Sequence, residues 1–254
     1  MNERTNNGRV LGVLGGMGPL ASAHFMTRLT QLTPAGCDQD HVPAVLWSDP
    51  RLPDRAPALL GHAGAADPLP GLLRGAQVLR QVGCGAIAIP CNTAHGWVEA
   101  LEAGCGLPVL HIVDATAAEL RQALRPGAVV GLMGTVATLR LRLFQDRLQP
   151  QGWRCIVPED DEMARLVMPA IDAVKAGQVA GTFAPVMQVV RSLHARGAEA
   201  VVLGCTELPL SLAAGPDGAD ALSMRHPVIV DTIDALARLS IAWARGQEAV
   251  TAAA

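Results

Sequence analysis

Cys91 and Cys205 each close a short apolar run, and each is followed by residues able to open a helix. These are Asn92-Thr93-Ala94-His95 after the first and Thr206-Glu207-Leu208 after the second. A thiol in that position faces unpaired backbone N–H groups and the positive end of a helix dipole, both of which favour the thiolate. The same N–H groups can take a carboxylate. Inverting a stereocentre by proton transfer needs a base on one face of the carbon and an acid on the other, which one thiolate and one thiol supply. Such a pair titrates as a coupled unit. The plain alternative is cysteine as a small buried hydrophobe, and it suffices for Cys37, Cys84, Cys105 and Cys155, none of which joins a strand end to a polar helix start. His95 and Glu207 stand close enough to the two thiols to tune them, or simply to cap their helices.

Positioning these residues requires an α/β framework. Short runs rich in Val, Ile, Leu and Ala alternate with segments of helical period, the pattern of a mostly parallel sheet covered by helices. Eight strands are predicted, at 10–14, 42–47, 86–90, 108–112, 128–133, 153–157, 200–204 and 227–230. A helix between them shows the stripe Leu69, Leu72, Leu73, Ala76 and Leu79. Loop breakers gather at Ser48–Arg55 and Ala214–Gly218. Val10-Leu11-Gly12-Val13-Leu14-Gly15 is echoed by Val129-Val130-Gly131-Leu132-Met133-Gly134, and Pro108-Val109-Leu110 by Pro227-Val228-Ile229. The runs ending in Cys91 and Cys205 form a third match in the same order, which suggests a duplicated four-strand unit. The expected architecture is two pseudo-twofold-related lobes with an active-site cleft between them. Residues 1–112 with 226–254 are expected to form one lobe and 113–225 the other.

Composition removes several classes. The net charge is -3 and aromatics make up 3% of 254 residues, leaving neither a field for polyanions nor platforms for bases, so no nucleic acid is expected. No run of 18 apolar residues exists, so no membrane span is expected, and the apolar run from Val10 is too short for a signal-peptide core. A cytoplasmic protein with free thiols is the expectation. There is no tyrosine and no G-x-S-x-G elbow, and Lys175 is the sole lysine among 20 basic residues.

Pro90-Cys91-Asn92-Thr93-Ala94-His95 and Gly204-Cys205-Thr206-Glu207-Leu208 resemble the two active-site signatures of the aspartate/glutamate racemase family. Gly15-Gly16-Met17-Gly18-Pro19-Leu20 resembles its first loop. Ser48-Asp49-Pro50-Arg51-Leu52-Pro53-Asp54-Arg55 and Ala173-Val174-Lys175-Ala176-Gly177 are similar to segments of the aspartate racemase branch, and the likeness runs from Val10 to about Ala244. The resemblance implies a racemase of an acidic amino acid, using neither pyridoxal phosphate nor metal, with Cys91 and Cys205 as the acid/base pair. It implies that Asn92, Thr93 and Thr206 hold the α-carboxylate and ammonium end, that Arg55 and Lys175 bind the side-chain carboxylate, and that the protein is a homodimer. Met17 and Thr135, at the ends of the paired first strands, are expected to line the cleft. The chain departs from the family pattern after Gly134-Thr135-Val136, where Thr138, Leu139 and Leu141 replace the usual Ser, Gly and Tyr.

Rival chemistries fit less well. Gly16-Met17-Gly18-Pro19-Leu20-Ala21 matches a dinucleotide loop, but the acidic residue such a loop needs about 20 residues on is absent, Asp49 lying 31 beyond Gly18. Cys91, His95 and Cys205 are poorly spaced for zinc. A pyridoxal enzyme would have to use Lys175. Maleate isomerases, arylmalonate decarboxylases and a non-catalytic carboxylate-binding relative remain as alternatives within the same resemblance.

Overall fold

The computed structural model describes residues 9–216, 222 and 226–247, so the end of the expected loop at 214–218 lies outside the described residues. Two compact units result: Met1–Ala115 with Ile233–Ala254, and Thr116–Thr232.

In the first unit, β1 (Leu11–Gly15) pairs in parallel with β2 (Ala44–Ser48) and β3 (Ala86–Ala88), and β3 with β4 (Val109–Leu110), giving the order β2-β1-β3-β4. In the second, β5 (Val129–Gly134) pairs with β6 (Arg154–Ile156) and β7 (Ala200–Gly204), and β7 with β8 (Val228–Asp231), giving β6-β5-β7-β8. The same parallel order thus occurs twice. The central strands β1, β5 and β7 are buried at every residue, as strands covered on both faces must be, whereas the edge strand β2 stays partly open.

The helices follow in chain order: α1 (Pro19–Leu32), α2 (Arg55–Leu59), α3 (Leu69–Gln81), α4 (Val98–Cys105), α5 (Ile112–Ala123), α6 (Val136–Arg140), α7 (Gln145–Leu148), α8 (Asp160–Glu162), α9 (Met168–Lys175), α10 (Phe183–Ala195), α11 (Leu208–Ala213) and α12 (Thr232–Ala244). The predicted stripe of α3 lies inward: Leu72, Ala76 and Leu79 are fully buried, and Leu69 and Leu73 pack beside them. Gly75 sits mid-helix because a Cβ there would come within 2.6 Å of Leu14 and 2.7 Å of Trp47. The helix gives up propensity to lie close on the sheet.

Two differences from the sequence reading have local causes. The strand expected at 86–90 ends at Ala88, because Pro90 has no N–H to give the ladder and the Cys91 amide turns back onto the Ile89 carbonyl at 2.8 Å. Residues 226–232, expected with the first lobe, fall in the second unit, since β8 completes that unit's sheet against β7. Only from Ile233 does the chain rejoin the first unit. There Asp234 forms a two-point pair with Arg28 of α1, both contacts 2.6 Å, and Trp243 lies against the backbone at Gly85.

Candidate active site

In the first unit, the expected residues gather where β1, β2 and β3 end. After β1, Ser22 Oγ accepts the Gly16 amide at 2.9 Å and donates to the Gly18 carbonyl at 2.8 Å, tying the glycine loop to the first turn of α1. Gly16 has φ +93°, and a Cβ on it would lie 2.5 Å from the backbone of Asp49. Glycine is required here by the approach of the β2 loop, so Gly16 is accounted for without a pyrophosphate. Met17, between these glycines, is buried in one apolar cluster with Leu52 and Cys91.

Arg55 opens α2, with Asp54 as its N-cap accepting the Ala56 amide. Its Nη1 donates to the carbonyl oxygens of Leu52 and Pro53 at 3.3 and 2.9 Å, so the loop holds one end of the guanidinium. The helix lies against the 3-10 turn Thr93–Trp97, where a Cβ on Gly96 would stand 2.8 Å from Leu59. Asn92, Thr93 and His95 are buried in and before that turn, beside Cys91. The His95 Nε2 accepts the Ile112 amide at 3.1 Å, which leaves Nδ1 to carry the proton and donate to the Cys91 carbonyl at 2.9 Å. His95 therefore braces the backbone of Cys91 against the start of α5.

In the second unit, Gly134 and Gly204 are register partners at the ends of β5 and β7. Thr135 and Cys205 come immediately after them, each buried. Thr135 N-caps α6, accepting the Thr138 amide at 3.2 Å, and its Oγ1 lies 2.9 Å from Thr138 Oγ1. Thr138, at the point of departure from the family pattern, thus takes a structural place. Thr232 donates to the Leu203 carbonyl at 2.9 Å and anchors the end of β7. Nothing in the spacing pointed to Thr232 or Ser22; a hydroxyl near a strand end was the only available signal.

Cys205 donates its S–H to Glu207 Oε2 at 3.0 Å, and Thr206 Oγ1 donates to the same oxygen at 3.2 Å. Burial pushes the Cys205 thiol well above its usual 9.0, and the adjacent Glu207 carboxylate adds to the shift by charge and hydrogen bond. Lys175 and the Glu207 amide act the other way. The expected thiolate bias at a helix start is therefore overturned at Cys205: burial first, and the Glu207 carboxylate after it, outweigh the N–H groups at the start of the six-residue α11. Lys175 ends α9, exposed, just before Gly177 at φ +78°, and its charge reaches Cys205.

The first unit thus brings together Met17, Arg55, Cys91, Asn92, Thr93 and His95, and the second Thr135, Lys175, Cys205, Thr206 and Glu207. Among the described residues, no three His, Cys, Asp or Glu side chains are grouped to hold a metal, and no helix is long and apolar enough to cross a membrane.

Comparison with known proteins places this arrangement. The profile of the Asp/Glu/Hydantoin racemase family matches residues 14–240. The broad specificity amino-acid racemase RacX of Bacillus subtilis is 27% identical over 203 residues, covering 78% of this chain and 86% of that one. The Picrophilus torridus aspartate racemase structure superposes with a TM-score of 0.79 at 28% identity, over 95% of this chain and 96% of that one. A glutamate racemase from Francisella tularensis, solved with D-glutamate, shares the fold, with a TM-score of 0.68 at 15% identity over 97% and 84% of the two chains.

Proposed function

This chain belongs to the Asp/Glu/hydantoin racemase family, an amino-acid racemase family that works without pyridoxal phosphate, and from that membership we propose that it racemises an acidic amino acid, aspartate foremost. Cys91 and Cys205 are the acid/base pair. The thiolate of one takes the α-proton, the thiol of the other returns a proton to the opposite face, and the two cysteines end with their protonation states exchanged. Asn92, Thr93 and Thr206 hold the α-carboxylate and ammonium end. Charge that develops on the α-carboxylate in the transition state is met by fixed donors. Arg55 and Lys175 take the distal carboxylate, the guanidinium in two parallel hydrogen bonds and the ammonium as a compact charge. Met17 and Thr135 flank the substrate. The working form is a homodimer in the cytoplasm.

The observation that carries this reading is the repetition itself. In each of two sheets of identical strand order, the third strand in sequence leads into a buried cysteine followed by a hydroxyl-bearing or amide side chain. Two-base inversion needs one thiol for each face, and the repetition supplies one from each unit.

Proton NMR of L-aspartate and L-glutamate in D₂O, with the reduced protein and no added cofactor, tests the proposal. Loss of the Cα–H signal together with decaying optical rotation supports it and names the substrate; no exchange on either overturns it. A wider substrate range is the second reading, favoured by the likeness to the Bacillus subtilis relative, and neutral amino acids in the same assay decide it.

A further inference from the structure

Glu207 is a carboxylate 3% exposed whose Oε2 accepts two hydrogens, from Cys205 Sγ at 3.0 Å and from Thr206 Oγ1 at 3.2 Å. Both donors are buried as well, so water does not share this oxygen freely. Cys205 shares a buried apolar cluster with Met133, Leu203 and Leu208. The titratable groups that act on Cys205 are Glu207 on its own turn and Lys175 at the end of α9, and of the two only Glu207 touches the sulfur.

We propose that Glu207 is a positioning residue that holds Cys205 as the protonated member of the pair, so that the resting enzyme waits with Cys205 as proton donor and Cys91 as base. This rests on the reading of Cys205 as an acid/base thiol. In a turnover from that form, the Cys91 thiolate removes the α-proton and the C–H electron pair remains on the substrate. That pair then takes the Cys205 proton on the opposite face. Cys91 ends as a thiol and Cys205 as a thiolate beside a carboxylate, two anions in a buried pocket that Lys175 offsets only in part. Release of the Cys91 proton to water and uptake of one by Cys205 restores the resting form. Free enantiomers have equal free energies, so kcat/KM is the same in both directions, and the bias instead appears as matched differences in kcat and KM between L and D substrates.

The decisive experiment is a thiolate titration by ultraviolet absorbance in a Cys91→Ser background, with the signal of Cys205 isolated by subtracting that of the Cys91→Ser/Cys205→Ser double variant. Glu207→Gln removes the charge and leaves a side chain of the same shape, and its midpoint falls by about one pH unit or more. Glu207→Asp keeps the charge but withdraws it by one methylene, and its midpoint falls by less. Unchanged midpoints in both variants overturn the inference, as does a fall of equal size in both. The readout needs no turnover, so a protein inactive on aspartate and glutamate would defeat the functional proposal and still test this one.

Discussion

The His95 imidazole stands 2.9 Å from the carbonyl oxygen of Cys91 and braces the backbone that carries the sulfur. Its second nitrogen is occupied by the Ile112 amide. Replacement by alanine leaves a buried carbonyl and a buried amide without this partner, at about 1–3 kcal/mol for each group left unsatisfied. His95→Ala is therefore expected to lower the urea midpoint clearly while the Cys91 thiol stays present. A midpoint equal to wild type would show that the brace is dispensable.

Cys91 and Cys205 should separate chemistry from folding. Both side chains are small and both are buried, at 6% and 5% exposure, so alanine leaves only a minor void. Cys91→Ala and Cys205→Ala are each expected to lose racemisation by at least about 10²–10⁴-fold, the usual worth of a general acid or base, with nearly unchanged thermal unfolding. Substantial turnover in either variant would sink the two-thiol mechanism.

Arg55→Lys tests the proposed distal carboxylate site. An ammonium cannot make the two parallel bonds of a guanidinium, so KM for aspartate should rise about tenfold or more, in line with about 1.5–3 kcal/mol for a hydrogen bond to a charged group. If kcat falls while KM holds, Arg55 acts on the chemical step instead of on binding.

Gly204 carries a packing prediction. A Cβ there would lie 2.8 Å from the Met133 carbonyl oxygen and 3.0 Å from Phe144, so Gly204→Ala should cost about 1–3 kcal/mol by overpacking. Gly36→Ala, whose Cβ would meet nothing closer than 3.6 Å, is the control and should be near neutral. Equal denaturant midpoints for the two would contradict the close approach of β5 and β7.

His24 gives a pH dependence of known sign. Half-buried on α1, it is held below its usual 6.5 first by burial and then by Arg28, with Asp234 opposing. Its folded form binds the proton less readily than the unfolded chain, so its contribution to stability is complete above pH 6.5 and is lost as the pH falls below it. His24→Gln should flatten the decline of Tm on the acid side of pH 6.5, by comparison with wild type across that value. A parallel decline in both proteins would remove His24 from the account.

Much of this protein was legible in one dimension. Parallel strands buried on both faces must be continuous apolar runs, so β1, β5 and β7 announced themselves, and repeated runs ending in cysteine exposed the duplication before any coordinates. The stripe of α3 was readable for the same reason, because burial on one helix face imposes its own period. Tertiary structure alone decided how each thiol is dressed. A Glu two residues after a cysteine can cap a helix or face the sulfur, and an imidazole four residues on can face a thiol or a carbonyl. The choice depends on rotamers, on burial and on where α5 and α9 pass, none of which is local to the motif. Hence Cys205 met a carboxylate where a helix-start thiolate was expected, and His95 turned to backbone. Residue type and spacing nominate candidate groups, but the protonation of such groups is set by the dielectric and charges that distant segments bring to them.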